Sequence, residues 1–292
     1  MKISGKTRLI SLLGSPVFLS KSPGMLNGLF DALDLDYAYV AFDVGLDDLE
    51  AAVNGLRAMK FRGSNVTMPL KSAVCQYLDK LTPAAEMAGA ANVIVNDDGV
   101  LTGHISDGEG YMMSLADAGV AYQGKKMTIV GAGGAATAVA IQAAMEGVKT
   151  ISVFNHRDAF FTSGEHTAAR LRDQFGCNAQ MFDLGDLDRL RAEMADSDIF
   201  TNGTPLGMPA TLDQAAVPDA GYFHPDLVVT DLVYIPLETK LLRMAREAGN
   251  RTVNGSGMQL FQALPAFKMW TGQDFPVGLA REIQAGLLAV QS

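Results

Sequence analysis

Apolar positions along the chain alternate between short runs and a repeat of three and four residues, and each change marks an element. Arg8–Leu13 is an apolar run that ends at Gly14. Met25, Leu26, Leu29, Phe30 and Leu33 then recur at helical spacing behind Pro23, a residue suited to a first helical turn. Tyr37–Val44 alternates and is rich in aromatic and β-branched residues, which predicts a strand. Asp47–Met59 repeats Leu49, Val53 and Leu56 behind acidic residues and predicts a helix. Gly63–Met68 follows as a strand, Lys71–Leu81 as a helix and Asn92–Asn96 as a strand. Asp97-Asp98-Gly99 makes a turn, and Val100–Ile105 returns as the second strand of a hairpin.

From Lys125 the alternation restarts. Met127–Val130 is an apolar strand, Gly131-Ala132-Gly133-Gly134-Ala135-Ala136 a glycine turn, and Thr137–Met145 a helix. Glycines let the backbone turn tightly and approach a ligand, and the first N–H groups of a helix bind phosphate. Further strands are expected at Thr150–Asn155, Ala179–Asp183, Asp198–Asn202, Leu227–Val233 and Arg251–Asn254, with a helix around Ala168–Phe175. Met258–Trp270 and Phe275–Val290 carry helical patterns too apolar to stand alone. Regular βα alternation implies a parallel, right-handed, doubly wound sheet.

The expected fold is therefore α/β in two domains with a cleft between them. A three-layer α/β domain spans 1–109, a Rossmann-type dinucleotide-binding domain spans 110–254, and C-terminal helices over 255–292 pack back on the first domain. A chain of 292 residues, 48% of them apolar, can fill two such cores. The formal net charge of −9 argues against nucleic acid or an anionic membrane as partner. Residues 1–6 lack the apolar core of a signal peptide, and no apolar run reaches transmembrane length. Cys75 and Cys177 stand far apart without partner cysteines, so neither a metal site nor a disulfide is expected. A soluble cytoplasmic protein, monomer or homodimer, is the expectation.

Several polar groups sit at strand ends. Ser20-Lys21-Ser22-Pro23 runs into a helix and could hold a carboxylate, although Ser22 as a plain N-cap explains it as well. Asn65 and Thr67 share a strand face, and Lys71 stands where a positive charge opposes the helix dipole. Asn92 opens a strand, and Asp107 follows another within Ser106-Asp107-Gly108. So many polar strand ends in one small domain point to a binding site. After the second strand of the later domain, Asp158 suits the ribose hydroxyls of NAD and would repel a 2′-phosphate, while Arg157 could stack on adenine. A surface Arg–Asp pair is the plain alternative. Thr201–Met208 follows a further strand and could floor the nicotinamide or serve as loop punctuation.

In order along nearly the whole chain, these segments resemble the shikimate/quinate dehydrogenase family. The landmarks are Ser20–Pro23, Asn65–Lys71, Gly89–Asn92, Ser106–Gly108, Gly131–Ala136, Thr201–Gly207 and Gly257–Gln262. Asn155–Phe161, Leu81–Ala85 and Trp270–Gly272 bring it closest to the quinate/shikimate branch. The resemblance implies NAD- or NADP-dependent oxidation of a ring hydroxyl of shikimate or quinate, with NAD favoured. It implies Lys71 and Asp107 as the catalytic pair, leaving open which is the base. Ser20, Ser22, Tyr39, Thr67, Asn92, Ser106 and Gln262 would fall on substrate positions, with Tyr234 near the ring. Gly131, Ala132, Gly133, Gly134, Ala135, Asn155, Arg157, Asp158, Thr204, Val233, Gly255 and Met258 would fall on the cofactor. Ile105 and Leu26 replace polar residues common in the family, so a related acid such as an aminoshikimate is the alternative substrate. A non-catalytic metabolite or dinucleotide sensor is the alternative of a different class; it would have no need of Lys71 and Asp107 together.

Overall fold

The computed structural model describes residues 3–289, so Val290, the last position of the final expected helix, lies outside the described residues. Two compact units emerge: Met1–Ser106 with Ala263–Ser292, and Asp107–Gln262. Among the described residues no helix is long and apolar enough to cross a membrane.

The first unit contains β1 (Arg8–Gly14), α1 (Ser22–Ala32), β2 (Tyr37–Asp43), α2 (Leu49–Ala58), β3 (Gly63–Val66), β4 (Lys80–Leu81), α3 (Pro83–Ala88), β5 (Val93–Asp97) and β6 (Val100–His104). They form a mixed sheet in the order β2-β1-β3-β5-β6-β4. The first three strands run parallel, while β5 is antiparallel to both β3 and β6. The β5–β6 hairpin turns through Asp98 and Gly99, at φ +52° and +95°, the positive pair that a tight hairpin turn needs. On one face, Leu49, Val53 and Leu56 of α2 pack with Leu13, Val66 and Ile94. The other face is aromatic: Phe30 stacks on Phe267 at 5.8 Å and lies 5.4 Å from Tyr37. Phe267 belongs to α10 (Ala263–Thr271), and α11 (Val277–Ala289) lies against α1, where Gly24 and Gly28 leave room for Leu287 and Ile283.

Two local expectations fail here. Lys71–Leu81 is not an α-helix but a short 3-10 turn, Ala73–Tyr77, followed by β4. Asp79 redirects the chain: its carboxylate accepts the Leu101 N–H at 2.7 Å and its own N–H reaches Leu101 O at 3.0 Å, laying β4 beside β6. Lys71 thus opposes no helix dipole. Ser22 does not cap α1 either; it is the first helical residue, and its N–H reaches Ser20 Oγ at 3.3 Å.

The second unit contains α4 (Asp107–Asp117), β7 (Lys126–Val130), α5 (Gly134–Met145), β8 (Thr150–Asn155), α6 (Ala159–Phe175), β9 (Asn178–Asp183), α7 (Leu187–Met194), β10 (Ile199–Asn202), β11 (Val228–Asp231), α8 (Lys240–Glu247), β12 (Arg251–Val253) and α9 (Gly255–Phe261). Its sheet is parallel throughout, in the order β12-β11-β10-β7-β8-β9. The chain winds outward from β7 to one side and then from β10 to the other, so strand order reverses between them. Ligands of such sheets bind beyond the carboxyl ends at that reversal. The helix expected around Ala168 begins earlier, at Ala159, because Asp158 caps it. The segment 258–270 is two helices, α9 and α10, rather than one. α9 goes with the second unit because glycines let α4 approach it: the Gln262 backbone fills the place of a Gly110 side chain at 2.5 Å, and Gly257 lies against Ser114.

Candidate active site

In the first unit the polar strand ends are wired together. Tyr39 Oη donates to Asn65 Oδ1 at 2.8 Å, and Asn65 Nδ2 donates to Asn92 O at 3.0 Å. Asn92 Oδ1 accepts the Ser106 N–H at 2.8 Å, and Asn92 Nδ2 meets Ser106 Oγ at 3.1 Å. Lys71 joins through its backbone, its carbonyl accepting the Ala91 N–H at 2.8 Å. Thr67 lies just past β3 rather than within it; its N–H reaches Leu13 O at 2.9 Å, and Gly14 makes room for its methyl. Asn27, which sequence reasoning missed, grips both backbone groups of Tyr39, at 2.8 and 2.9 Å, and so fixes the helix that begins at Ser22.

Burial divides these residues. Tyr39, Asn92 and Ser106 are each 2% exposed, whereas Ser20, Ser22, Asn65, Thr67 and Lys71 are half-buried. Of the two departures from the family pattern, Leu26 is buried in α1 and Ile105 half-buried.

Asp107 follows Ser106 directly, 1% exposed, in the first turn of α4, where unpaired N–H groups favour a negative charge. Its helix is anchored one turn on. Tyr111 Oη bonds Thr201 Oγ1 at 2.7 Å and Thr230 Oγ1 at 2.9 Å, and burial pushes its phenol up to about 12. Gln262 is half-buried at the end of α9, against Gly110 of the same α4.

The glycine turn has the geometry that its residues imply. Gly131 sits at φ +111°, and a Cβ there would meet the Gly203 carbonyl carbon at 2.9 Å. A Cβ on Gly203 would in turn meet Ala136 at 2.6 Å. Chain exits of β7 and β10 therefore touch backbone to backbone at the strand-order reversal. Gly133, extended at φ −72° and ψ 172°, starts α5 and has nothing within 4 Å of its Cβ position. The first intrahelical bond is Thr137 N–H to Gly133 O, which leaves the amides of Gly134, Ala135 and Ala136 outside the helical ladder. Such a cradle fits a phosphate.

Around it, Asn155 Oδ1 accepts the Ala132 N–H at 3.2 Å, while Asn155 Nδ2 donates to Asp158 Oδ1 at 2.8 Å. The same Asp158 oxygen accepts the Phe160 N–H at 2.8 Å. Arg157 does not pair with Asp158. It bonds Asp183 Oδ2 at 2.7 Å and lies 4.6 Å over the Phe161 ring. The Gly185 N–H, and after it Arg157, hold the Asp183 carboxyl below its usual range. Val233 O accepts the Gly255 N–H at 3.1 Å, and Met258 is buried one turn into α9.

Sequence reasoning also missed a buried pair. Asn202 and Asp231, 0% and 2% exposed, end β10 and β11 side by side. Asp231 accepts from Asn202 Nδ2 at 2.9 Å, from the Val233 N–H at 2.9 Å and from Thr239 Oγ1 at 2.7 Å. Burial nevertheless pushes its carboxyl up to about 7, outweighing those bonds. The available signal was a polar residue closing each of two apolar strands. Among the described residues no group of three or more His, Cys, Asp or Glu could hold a metal ion.

A family model described as the shikimate dehydrogenase substrate binding domain matches residues 12–94. Shikimate dehydrogenase (NADP(+)) of Listeria monocytogenes serotype 4b (strain F2365) is 51% identical over 282 residues, which cover 97% of each chain. The chain belongs to the shikimate dehydrogenase family. This is a family of NAD(P)-dependent oxidoreductases acting on a CH–OH group. A second member, quinate/shikimate dehydrogenase of Escherichia coli (strain SMS-3-5 / SECEC), is 42% identical over 283 residues, 97% of this chain and 98% of its own. Among solved family members, shikimate 5-dehydrogenase from Listeria monocytogenes in complex with shikimate and NAD superposes with a TM-score of 0.90 at 50% identity, over 97% of this chain and 98% of that one.

Proposed function

We propose that this family member oxidises a ring hydroxyl of shikimate or quinate, and reduces the corresponding ketone, with NAD favoured over NADP. The observation that carries the reading is the bonded series Tyr39–Asn65–Asn92–Ser106, which runs directly into Asp107 and is tied to Lys71 through Ala91. A polyhydroxylated acid needs several fixed polar partners, and a pre-bonded set spends no energy on reorganisation when the ligand arrives. Ser20, Ser22, Thr67, Lys71 and Gln262, all half-buried, offer polar atoms to the substrate. Tyr39, Asn92 and Ser106, the buried members of the bonded series, complete the substrate set.

Lys71 is the reachable member of the catalytic pair, so it takes the hydroxyl proton at the reacting oxygen. Asp107, buried at a helix start that favours its negative charge, is the second member of the pair. Gly131, Ala132, Gly133, Gly134 and Ala135 cradle the dinucleotide phosphates, and Thr204, Val233, Gly255 and Met258 line its nicotinamide end. Bound there, the dinucleotide supplies the two-electron acceptor.

The preference for NAD rests on charge. Asp158 stands beside the ribose position, with Oδ2 outside the bonds that engage Oδ1. Arg157, the cation that a 2′-phosphate would want, is already held by Asp183. The relatives leave both dinucleotides open, since the Listeria protein named for NADP has a counterpart solved with NAD.

Initial rates with shikimate and quinate, each with NAD and with NADP, test the reading. Turnover of either acid with a higher kcat/KM for NAD is expected. If both acids are inert while an amino-substituted analogue reacts, the substrate assignment fails. A large NADP preference removes the role given to Asp158.

A further inference from the structure

Asp231 is a buried carboxylate that pairs with no cation among the described residues, and the proton transfer described above does not use it. Its partners are an amide, a backbone N–H and a hydroxyl. Burying a carboxyl without a counter-charge is costly, and hydrogen bonds offset only part of that cost. What these bonds hold are the two loops that leave the parallel sheet. On one side, Asn202 Nδ2, already on Asp231 Oδ1, also donates to Leu206 O at 3.0 Å. Asn202 Oδ1 accepts the Thr204 N–H at 3.0 Å and the Thr204 hydroxyl at 2.6 Å. On the other side, Oδ1 takes the Val233 N–H, and Val233 O takes the Gly255 N–H. Through Oδ2 it holds Thr239, whose hydroxyl accepts the Leu242 N–H and so caps α8. One side chain thus ties the exits of β10 and β11 and the starts of α8 and α9.

We infer that Asp231 is a positioning residue that locks the 203–206 and 232–233 loops into one rigid floor for the nicotinamide end of the dinucleotide. The inference rests on the reading of Thr204 and Val233 as cofactor contacts. A floor of this kind sets the orientation of the reacting ring, whereas the adenosine half lies towards Asp158, across β7 from it. Misplacing a reacting group by about 1 Å can cost on the order of 100-fold in rate.

The test measures kcat and ADP-ribose affinity for wild type, Asp231→Ala and Asp231→Asn, with thermal melts to verify folding. ADP-ribose carries the adenosine and phosphates but lacks the nicotinamide. We expect Asp231→Ala to lose at least about tenfold in kcat while its ADP-ribose Kd stays within about threefold of wild type. Asp231→Asn keeps an acceptor oxygen for Asn202 and Val233 and should restore kcat to within about threefold of wild type. If the alanine variant does not fold, Asn202→Ala cuts the same link from β10 and is read in the same way. A folded variant with unchanged kcat overturns the inference, as does a parallel loss of kcat and ADP-ribose affinity. Wild type that binds neither dinucleotide overturns the functional reading instead.

Discussion

The two sheets prepare for ligands in opposite ways. In the first unit the candidate site is made mainly of side chains: a phenol, two amides and a hydroxyl linked in series at strand ends. In the second, the glycine turn is made of missing side chains, with Gly131 and Gly203 bringing two backbones together. A side-chain site discriminates by which polar atoms it offers. A backbone site discriminates by shape, and offers N–H groups that every residue except proline possesses. On the proposed reading, the side-chain site of the first unit serves the acid and the backbone site of the second serves the dinucleotide. Substitutions should act differently on the two sides: loss of a functional group on the first, gain of an atom on the second.

The largest effect should come from the first side. Lys71→Ala is expected to lower turnover by roughly 10²–10⁴-fold, the usual worth of a positioned acid–base group, while dinucleotide affinity holds. Stopped-flow turnover beside a dinucleotide titration checks both; near-normal turnover removes Lys71 from the mechanism.

Next comes the buried carboxylate of the second unit. Its carboxyl is raised from 3.8 to about 7, so the fold favours the neutral acid. That stabilisation is fully present below pH 3.8 and is lost as pH rises through 7. Urea unfolding should therefore show wild type losing stability against Asp231→Asn between pH 4 and 8, by about 4 kcal/mol at most. Parallel pH profiles would show that Asp231 does not titrate in this range.

Gly131→Ala tests the gain of an atom. The new methyl meets the Gly203 carbonyl, and the residue must also keep φ at +111°. A cost of about 1–3 kcal/mol is expected, read as weaker dinucleotide binding and a lower unfolding midpoint. A variant that binds normally would mean that the backbone contact does not shape the site. The smallest change is Asp158→Asn, which keeps the cap on α6 and the Asn155 bond while removing a charge. It should raise the NADP-to-NAD ratio of kcat/KM by about tenfold. An unmoved ratio would place cofactor choice elsewhere.

How much of this could be read along the chain depends on distance in sequence. The glycine turn and the Asp97–Gly99 hairpin are local, since their positive φ values are demanded within a few residues, and both were legible. The helix expected at Lys71–Leu81 was not. Leu70 and Val74 share a helical spacing, but Asp79 reaches across to Leu101 and pulls the chain into a strand. Ser22 looked like a cap because its neighbours fit one; its actual position follows from where Ser20 turns. Arg157 stood next to Asp158 yet pairs with Asp183, because β8 and β9 run side by side with Asn155 opposite Asp183. The Asn202–Asp231 pair depends on β10–β11 register, which no short window contains. Family resemblance suggested the roles proposed for Lys71 and Asp107; burial then separated the half-buried residue from the enclosed one.

Trp270 has a consequence for how the molecule is made. Its indole N–H donates to Ile94 O at 3.0 Å over Gly63, and its carbonyl accepts from Tyr37 and Arg62. The first unit thus needs a segment that the ribosome delivers only after the whole of the second, which is continuous in sequence. During synthesis the later unit can close first, and the earlier strands must wait with their aromatic face uncovered until α10 arrives.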